Sequence, residues 1–150
     1  MIIVNKACID LIKSFEGLFL KPYLCPASVA TIGYGTIRYP NGTKVRITDA
    51  PITEQQANQY LMFEIDQKAK SIDPMLREDL TGNQFGALIS FAYNLGEGAL
   101  RSSTLLKKVN ANPLDAQIRS EFQKWIYADG KKLNGLLRRR NAEADLYFKA

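Results

Sequence analysis

Thr81-Gly82-Asn83-Gln84-Phe85-Gly86-Ala87-Leu88-Ile89-Ser90-Phe91-Ala92-Tyr93-Asn94-Leu95-Gly96 begins with a helix-starting signal and ends with a helix stop. Thr81 is followed three residues later by Gln84. In that pairing the hydroxyl and the amide each satisfy a backbone N–H that the first helical turn leaves open. From Phe85 onward, Ala87, Leu88, Ile89, Phe91, Ala92, Tyr93 and Leu95 leave almost no polar face before Gly96 closes the segment. A helix apolar nearly all round belongs at the buried centre of a helical lobe.

The same logic extends outward. Downstream, shorter helices are expected from about Ser103 to Val109, from Pro113 to Trp125 behind Asn112, and from Gly135 to Phe148. Upstream, Thr53 and Gln56 repeat the capping signal ahead of Ala57, Tyr60, Leu61 and Ile65, a one-sided helix that closes near Asp73-Pro74. Everything after Pro51 therefore reads as helix. At the other end, Val4, Cys8, Leu11, Ile12 and Phe15 form a helical stripe, with Asn5 as its cap and Gly17 as its stop, so the first helix ends at about Glu16. The span from Gly17 to Val29 carries Pro22 and Pro26 and reads as loop. Thr31 to Ile37 alternates like a strand, and Asn41-Gly42 turns it into a return strand through Thr43, Val45 and Ile47. A small sheet is expected there and nowhere else. The fold class is α+β: one domain over residues 1–150, with a small N-terminal antiparallel sheet lobe, a larger helical lobe, and a cleft between them as the expected site.

Composition narrows the chemistry. The chain has 150 residues, 46% apolar and 23% charged, which suits a single soluble domain with a real core. Its apolar runs are far shorter than the roughly 20 residues a bilayer span needs. Lys6, Asp10 and Lys13 interrupt the first segment, so neither a span nor a signal peptide is expected, and synthesis and folding in the cytoplasm are. There is no histidine, which excludes Ser-His-Asp triads, Cys-His pairs and the common zinc sites. With Cys8 and Cys25 the only thiols, metal-free chemistry and unpaired cysteines are expected. Residues 1–100 hold 9 Lys+Arg against 10 Asp+Glu, and residues 101–150 hold 11 against 5. That basic last third suits nucleic acid, an anionic cell envelope, or simply a solvated face. On the last helix, spacing prevents Arg138, Arg139 and Arg140 from all facing one way. At least one of them is expected to turn inward toward acidic groups, while the others and Lys149 face the envelope.

Glu16 is the most informative single residue. A helix C-terminus carries partial negative charge and so favours a neutral carboxyl, especially beside Phe15, Leu18 and Phe19. A neutral carboxyl near pH 7 is a proton donor of the kind glycosidic cleavage needs. Gly33 and Gly35 share one strand face and would admit a ligand or another backbone equally well. Taken alone, Cys25 reads as a small loop hydrophobe.

As an ordered set these residues say more. Glu16-Gly17, eight residues to Cys25, and five more to Thr31-Ile32-Gly33-Tyr34-Gly35 resemble the catalytic signature of phage-type lysozymes, the T4-like family. The resemblance continues through Asn83-Gln84, Leu88 to Gly96, Ser103-Thr104-Leu105-Leu106, and Gly135 to Arg140 with Ala142-Glu143. It implies a metal- and cofactor-free muramidase that hydrolyses the β-1,4 bond between N-acetylmuramic acid and N-acetylglucosamine in peptidoglycan. Position by position, it implies that Glu16 is the proton donor and that Thr31 helps place the water. Cys25 stands where the T4 type has aspartate and other members have cysteine. Tyr93 and Ile37 are the implied substrate contacts. A histidine that the T4 type carries just after the strand glycines is Thr36 here, so its ion pair is absent or replaced. Inversion is the implied outcome, and a thiolate at position 25 leaves retention open. The resemblance further implies a monomeric lysis enzyme made in the host cytoplasm that reaches the wall through membrane holes made by a holin. A basic nucleic-acid-binding module and a wall-binding protein without catalysis are the competing readings; peptidoglycan, not nucleic acid, is the partner adopted.

Overall fold

The computed structural model describes residues 4–150. Two compact units make it up: a sheet unit of residues 12–67, and a helical unit of residues 68–150 with the N-terminal segment up to Leu11. The boundaries fall within helix α1 (Lys6–Glu16) and helix α2 (Glu54–Ile72). Among the described residues, no helix is long and apolar enough to cross a membrane.

Helix α1 starts and stops where its sequence says. Asn5 Oδ1 accepts the Cys8 backbone N–H at 3.1 Å, which caps the first turn. At the other end Gly17 adopts φ +72° and donates its N–H to the Lys13 carbonyl at 3.0 Å. Only a residue without Cβ takes that left-handed conformation cheaply, so Glu16 is left as the last helical residue.

In the sheet unit, strand β1 (Phe19–Leu24) pairs antiparallel with strand β2 (Ala30–Gly33), in register Phe19↔Gly33, Tyr23↔Thr31 and Leu24↔Ala30. The expected loop over residues 17–29 thus contains a strand. The prolines permit it because Pro22 falls in the register irregularity between Phe19 and Tyr23, where no regular ladder bond is required of it, and Pro26 lies beyond the strand. The partner of the Thr31 strand is accordingly upstream. Downstream, the expected return strand shrinks to an isolated bridge, Arg38–Lys44, around the Asn41-Gly42 turn, in which Gly42 has φ +90°. The cause lies at Gly33 (φ +67°) and Gly35 (φ +88°), which fold the chain so sharply that Ile32 and Thr36 exchange both backbone hydrogen bonds at 2.9 Å. A Cβ on Gly33 would stand 3.4 Å from the Cβ of Ala57, so this glycine serves close packing on α2. Ile12, Ile32, Val45, Ala57, Leu61 and Ile65 form the buried core of the unit.

In the helical unit, α3 (Gly82–Leu95) is the central helix, buried continuously from Gly86 to Ala92, with both capping-box bonds formed: Gln84 N–H to Thr81 Oγ1 at 3.1 Å and Thr81 N–H to Gln84 Oε1 at 2.9 Å. Helix α4 (Glu97–Ser102) follows without having been expected, then α5 (Thr104–Ala111) behind a Ser103 cap, α6 (Ile118–Gln123), and α7 (Asn134–Tyr147), which packs on α3 and α6. The helix expected over Pro113–Trp125 is only α6. Asn112 Oδ1 takes the Leu114 N–H at 3.1 Å and Asp115 Oδ1 the Gln117 N–H at 2.9 Å, so side chains supply the bonds that a helix would have made. A second sheet also appears: β3 (Tyr127–Ala128) and β4 (Lys131–Lys132) close around Asp129 (φ +51°) and Gly130 (φ +77°), a two-residue hairpin turn with both φ positive.

The arginine run divides two to one. Arg138 is exposed, while Arg139 and Arg140 are buried and turn to Glu143. Arg140 Nε meets Glu143 Oε1 at 2.7 Å, and its Nη2 donates to Glu143 Oε2 at 3.1 Å and to Asn94 Oδ1 at 2.8 Å. The Ser90 hydroxyl donates to Glu143 Oε2 at 2.6 Å, and Arg139 Nε lies 3.5 Å from the same oxygen. Burial pushes the Glu143 carboxyl upward, opposed by these cations and this hydroxyl. Two of the three arginines therefore hold α7 to α3 and present no charge to a partner.

Candidate active site

The candidate site grows from the end of α1 and the β1–β2 hairpin, all within the sheet unit. The left-handed stop at Gly17 places half-buried Glu16 where helix gives way to strand. Strand β1 then carries Tyr23 opposite Thr31, and Cys25 follows directly after its last residue. The turn from Cys25 to Val29 is tight: Cys25 N–H donates to the Val29 carbonyl at 3.0 Å, Ser28 N–H donates to the Cys25 carbonyl at 2.8 Å, and Ser28 has φ +62°.

That turn aims donors at sulfur. The backbone N–H groups of Val29 and Ala27, and then the Thr31 hydroxyl, hold the Cys25 thiol below its ordinary range, against a smaller upward push from burial. Hydrogen bonds to the charged form favour it, so the turn is built to tolerate a thiolate. Thr31 is buried, and its Oγ1 also lies 2.9 Å from the Val29 carbonyl. With a single proton, this hydroxyl serves either the carbonyl or the sulfur at one time.

Tyr23 ties the group together. Its phenol is raised above the ordinary value first by burial, then by the negative charges of Glu16 and Cys25. A carboxyl and a thiol therefore both lie within electrostatic reach of one phenol. Phe19 covers the ring, with centroids 4.4 Å apart. Tyr23 is the residue that reading the sequence missed. The signal was its position two residues before Cys25, which in extended chain puts both on one face, but the flanking prolines argued against extension.

The other expected contacts are on different segments of the chain. Ile37 is on the bridge segment of the sheet unit, 48% exposed. Tyr93 belongs to the helical unit, half-buried in the last turn of α3 beside Asn94, which Arg140 holds. Thr36, at the position of the T4-type histidine, is fully buried, and its hydroxyl has no hydrogen-bond partner among the described residues. Chemically, a carboxyl that can give a proton and a thiolate that can take one, or attack, suit acid–base or nucleophilic cleavage of an acetal.

Residues 13–143 match the family model described as phage lysozyme, a span that holds Glu16, Tyr23, Cys25, Thr31 and the Arg140–Glu143 pair. The chain belongs to the phage lysozyme family. An endolysin of Bacillus phage B103 is 42% identical over 146 residues, covering 97% of this chain and 54% of the relative, so the chain spans about half the length of that relative. An endolysin of Acyrthosiphon pisum secondary endosymbiont phage 1 is 40% identical over 151 residues, covering 98% of this chain and 99% of the relative. Among solved structures, an endolysin from Escherichia coli O157:H7 phage FAHEc1 superposes with a TM-score of 0.88 at 37% identity, over 98% of this chain and 94% of that one. As a phage lysozyme, the chain has the lysozyme-like α+β fold expected of it.

Proposed function

We propose that this protein is a lysis enzyme that hydrolyses the β-1,4 bond between N-acetylmuramic acid and N-acetylglucosamine in peptidoglycan. The observation that carries the reading is that Glu16 at the end of α1, and Cys25 and Thr31 at the β1–β2 turn, lie in one compact unit of a chain of the phage lysozyme family. Glu16 donates a proton to the leaving sugar oxygen as the glycosidic bond breaks. Cys25, its thiolate favoured by the N–H groups of its turn, accepts a proton in the thiolate form from a water that Thr31 helps to orient, and that water attacks the anomeric carbon from the opposite face. Inversion follows. A retaining route would instead form a carbon–sulfur bond at Cys25 and break it with water in a second step. Ile37 and Tyr93 contact the glycan, and no metal or cofactor takes part.

The decisive experiment is release of reducing ends from purified peptidoglycan, with proton NMR of the first-formed anomer. Release of the inverted anomer supports the whole reading; the retained anomer overturns the water-holding role of Cys25; and binding without release overturns hydrolysis. In the cell, the monomeric enzyme reaches the wall through a membrane opened by a holin, and its remaining exposed cations, among them Lys131, Lys132 and Arg138, favour an anionic envelope. Rapid lysis on expression without a holin would contradict that route.

A further inference from the structure

The segment between β2 and α2 folds against the first turns of α2 and leaves a recess of about 830 Å³ in the sheet unit, whose lining includes none of Glu16, Tyr23, Cys25 or Thr31. Its aromatic wall is Tyr39 and Tyr60, with ring centroids 5.5 Å apart and edge-on at 67°. Tyr39 is fixed by a hydrogen bond from its hydroxyl to Asp49 Oδ2 at 2.6 Å, an oxygen that also accepts the Arg46 backbone N–H at 2.9 Å. Those bonds hold Asp49 below the ordinary carboxyl range, so it stays ionised and occupied.

Beside the hydroxyls of Thr43 and Tyr60, the polar side chains that line it are mostly donors. Asn41 spends its oxygen on the Thr43 N–H at 2.9 Å, and Gln56 spends its oxygen on the Thr53 N–H at 2.9 Å. Each amide therefore has its NH₂ group left for a ligand. Lys44 and Arg46, both exposed, add an ammonium and a guanidinium to the same lining, against the single carboxylate of Asp49. Side-chain donors and net positive charge call for an acceptor-rich anion, and tyrosine rings suit the C–H faces of a sugar. We propose that this recess is a second saccharide site that holds, without cleaving, a carboxylate-bearing glycan. In naming peptidoglycan with its acidic stem peptide as the source of that glycan, the inference rests on the function proposed above.

The test is an amide NMR titration of the intact protein with the soluble disaccharide–tetrapeptide of peptidoglycan, with uncharged chitotetraose, and with inorganic phosphate. The expected result is saturable shifts over residues 39–46 and 49–56 with the disaccharide–tetrapeptide, weakened about tenfold or more in the double variant Lys44→Gln/Arg46→Gln. Both side chains are exposed, and an otherwise unchanged spectrum shows that the variant is folded. No saturable shifts there, equal shifts with chitotetraose, or equal shifts with phosphate would each overturn the proposal. Reducing-end release by the wild type, run alongside, separates the two claims. Its absence would sink the lysozyme reading and leave the shifts in the recess to be judged by themselves.

Discussion

Cys8 and Cys25 are the same side chain under opposite electrostatics. Cys8 is buried, donates its S–H to the Gly86 carbonyl at 3.2 Å, and is pushed up to about 12, chiefly by burial and then by the charge of Glu143. Cys25 is only half-buried and is held low by the N–H groups of its own turn. Iodoacetamide at pH 8 should therefore label Cys25 and spare Cys8, with the labelling rate half-maximal below the ordinary thiol value of about 8.5; peptide mapping by mass spectrometry checks both. Turnover makes a sharper test. Glu16→Gln should stay folded and lose about 10²- to 10⁴-fold in activity, because an amide cannot give the proton. Cys25→Asp should remain active while Cys25→Ala loses much of the rate, and Thr31→Val should slow hydrolysis as well; an active Ala variant beside an impaired Asp variant would reduce Cys25 to packing. Thr36 bears on stability. Its buried hydroxyl lacks a partner among the described residues, so Thr36→Val, which keeps the shape, should raise stability by about 1 kcal/mol in urea denaturation.

The helices owe their limits to local chemistry, and local chemistry is legible in sequence. Asn5, Thr53 and Thr81 cap as their spacing says, and Ser103, expected inside its helix, caps it instead, because a cap needs only a side-chain oxygen and a backbone N–H two or three residues on. Thr81→Ala should cost about 1 kcal/mol, read as a shifted urea midpoint at unchanged slope. The misjudged elements have a different origin. Pro22 forbids a regular strand but not one whose register slips where the proline sits, and the slip depends on the partner strand. Residues 113–117 have the makings of a helix, and Asn112 and Asp115 divert them by bonding neighbouring N–H groups first. The hairpin around Asp129-Gly130 was not expected, because its strands are two residues each and leave almost no periodicity to read.

Between α3 and α7, long-range packing takes over. A Cβ on Gly86 would lie 2.8 Å from the Cβ of Cys8, so Gly86→Ala should cost about 1–3 kcal/mol as α1 and α3 are forced apart. Glu143 neutralises guanidinium charge with almost no access to water, and Glu143→Gln should destabilise by about 3–5 kcal/mol because Arg140 is left buried without a counter-charge. Arg138→Gln, one residue away from Arg139 but exposed, should change stability by less than about 0.5 kcal/mol. Chemical denaturation of the three variants under one set of conditions ranks these contributions.

What the sequence determined by itself was whatever depends on neighbours a few residues apart: the caps, the stop at Gly17 that makes Glu16 terminal, the turn at Asn41-Gly42, the buried central helix, and the spacing of Glu16, Cys25 and Thr31. Tertiary structure alone decided which strand Thr31 pairs with, that Tyr23 stands opposite Thr31 within electrostatic reach of Glu16 and Cys25, that Cys25 has donors near its sulfur, and which two of three adjacent arginines go inside. Spacing along the helix puts Arg140 and Arg139 three and four residues before Glu143, within its reach, but does not say that this face of α7 is the one that goes inside. That choice depends on Ser90 and Asn94 of α3, brought against α7 by tertiary packing, whose positions no local pattern on α7 encodes.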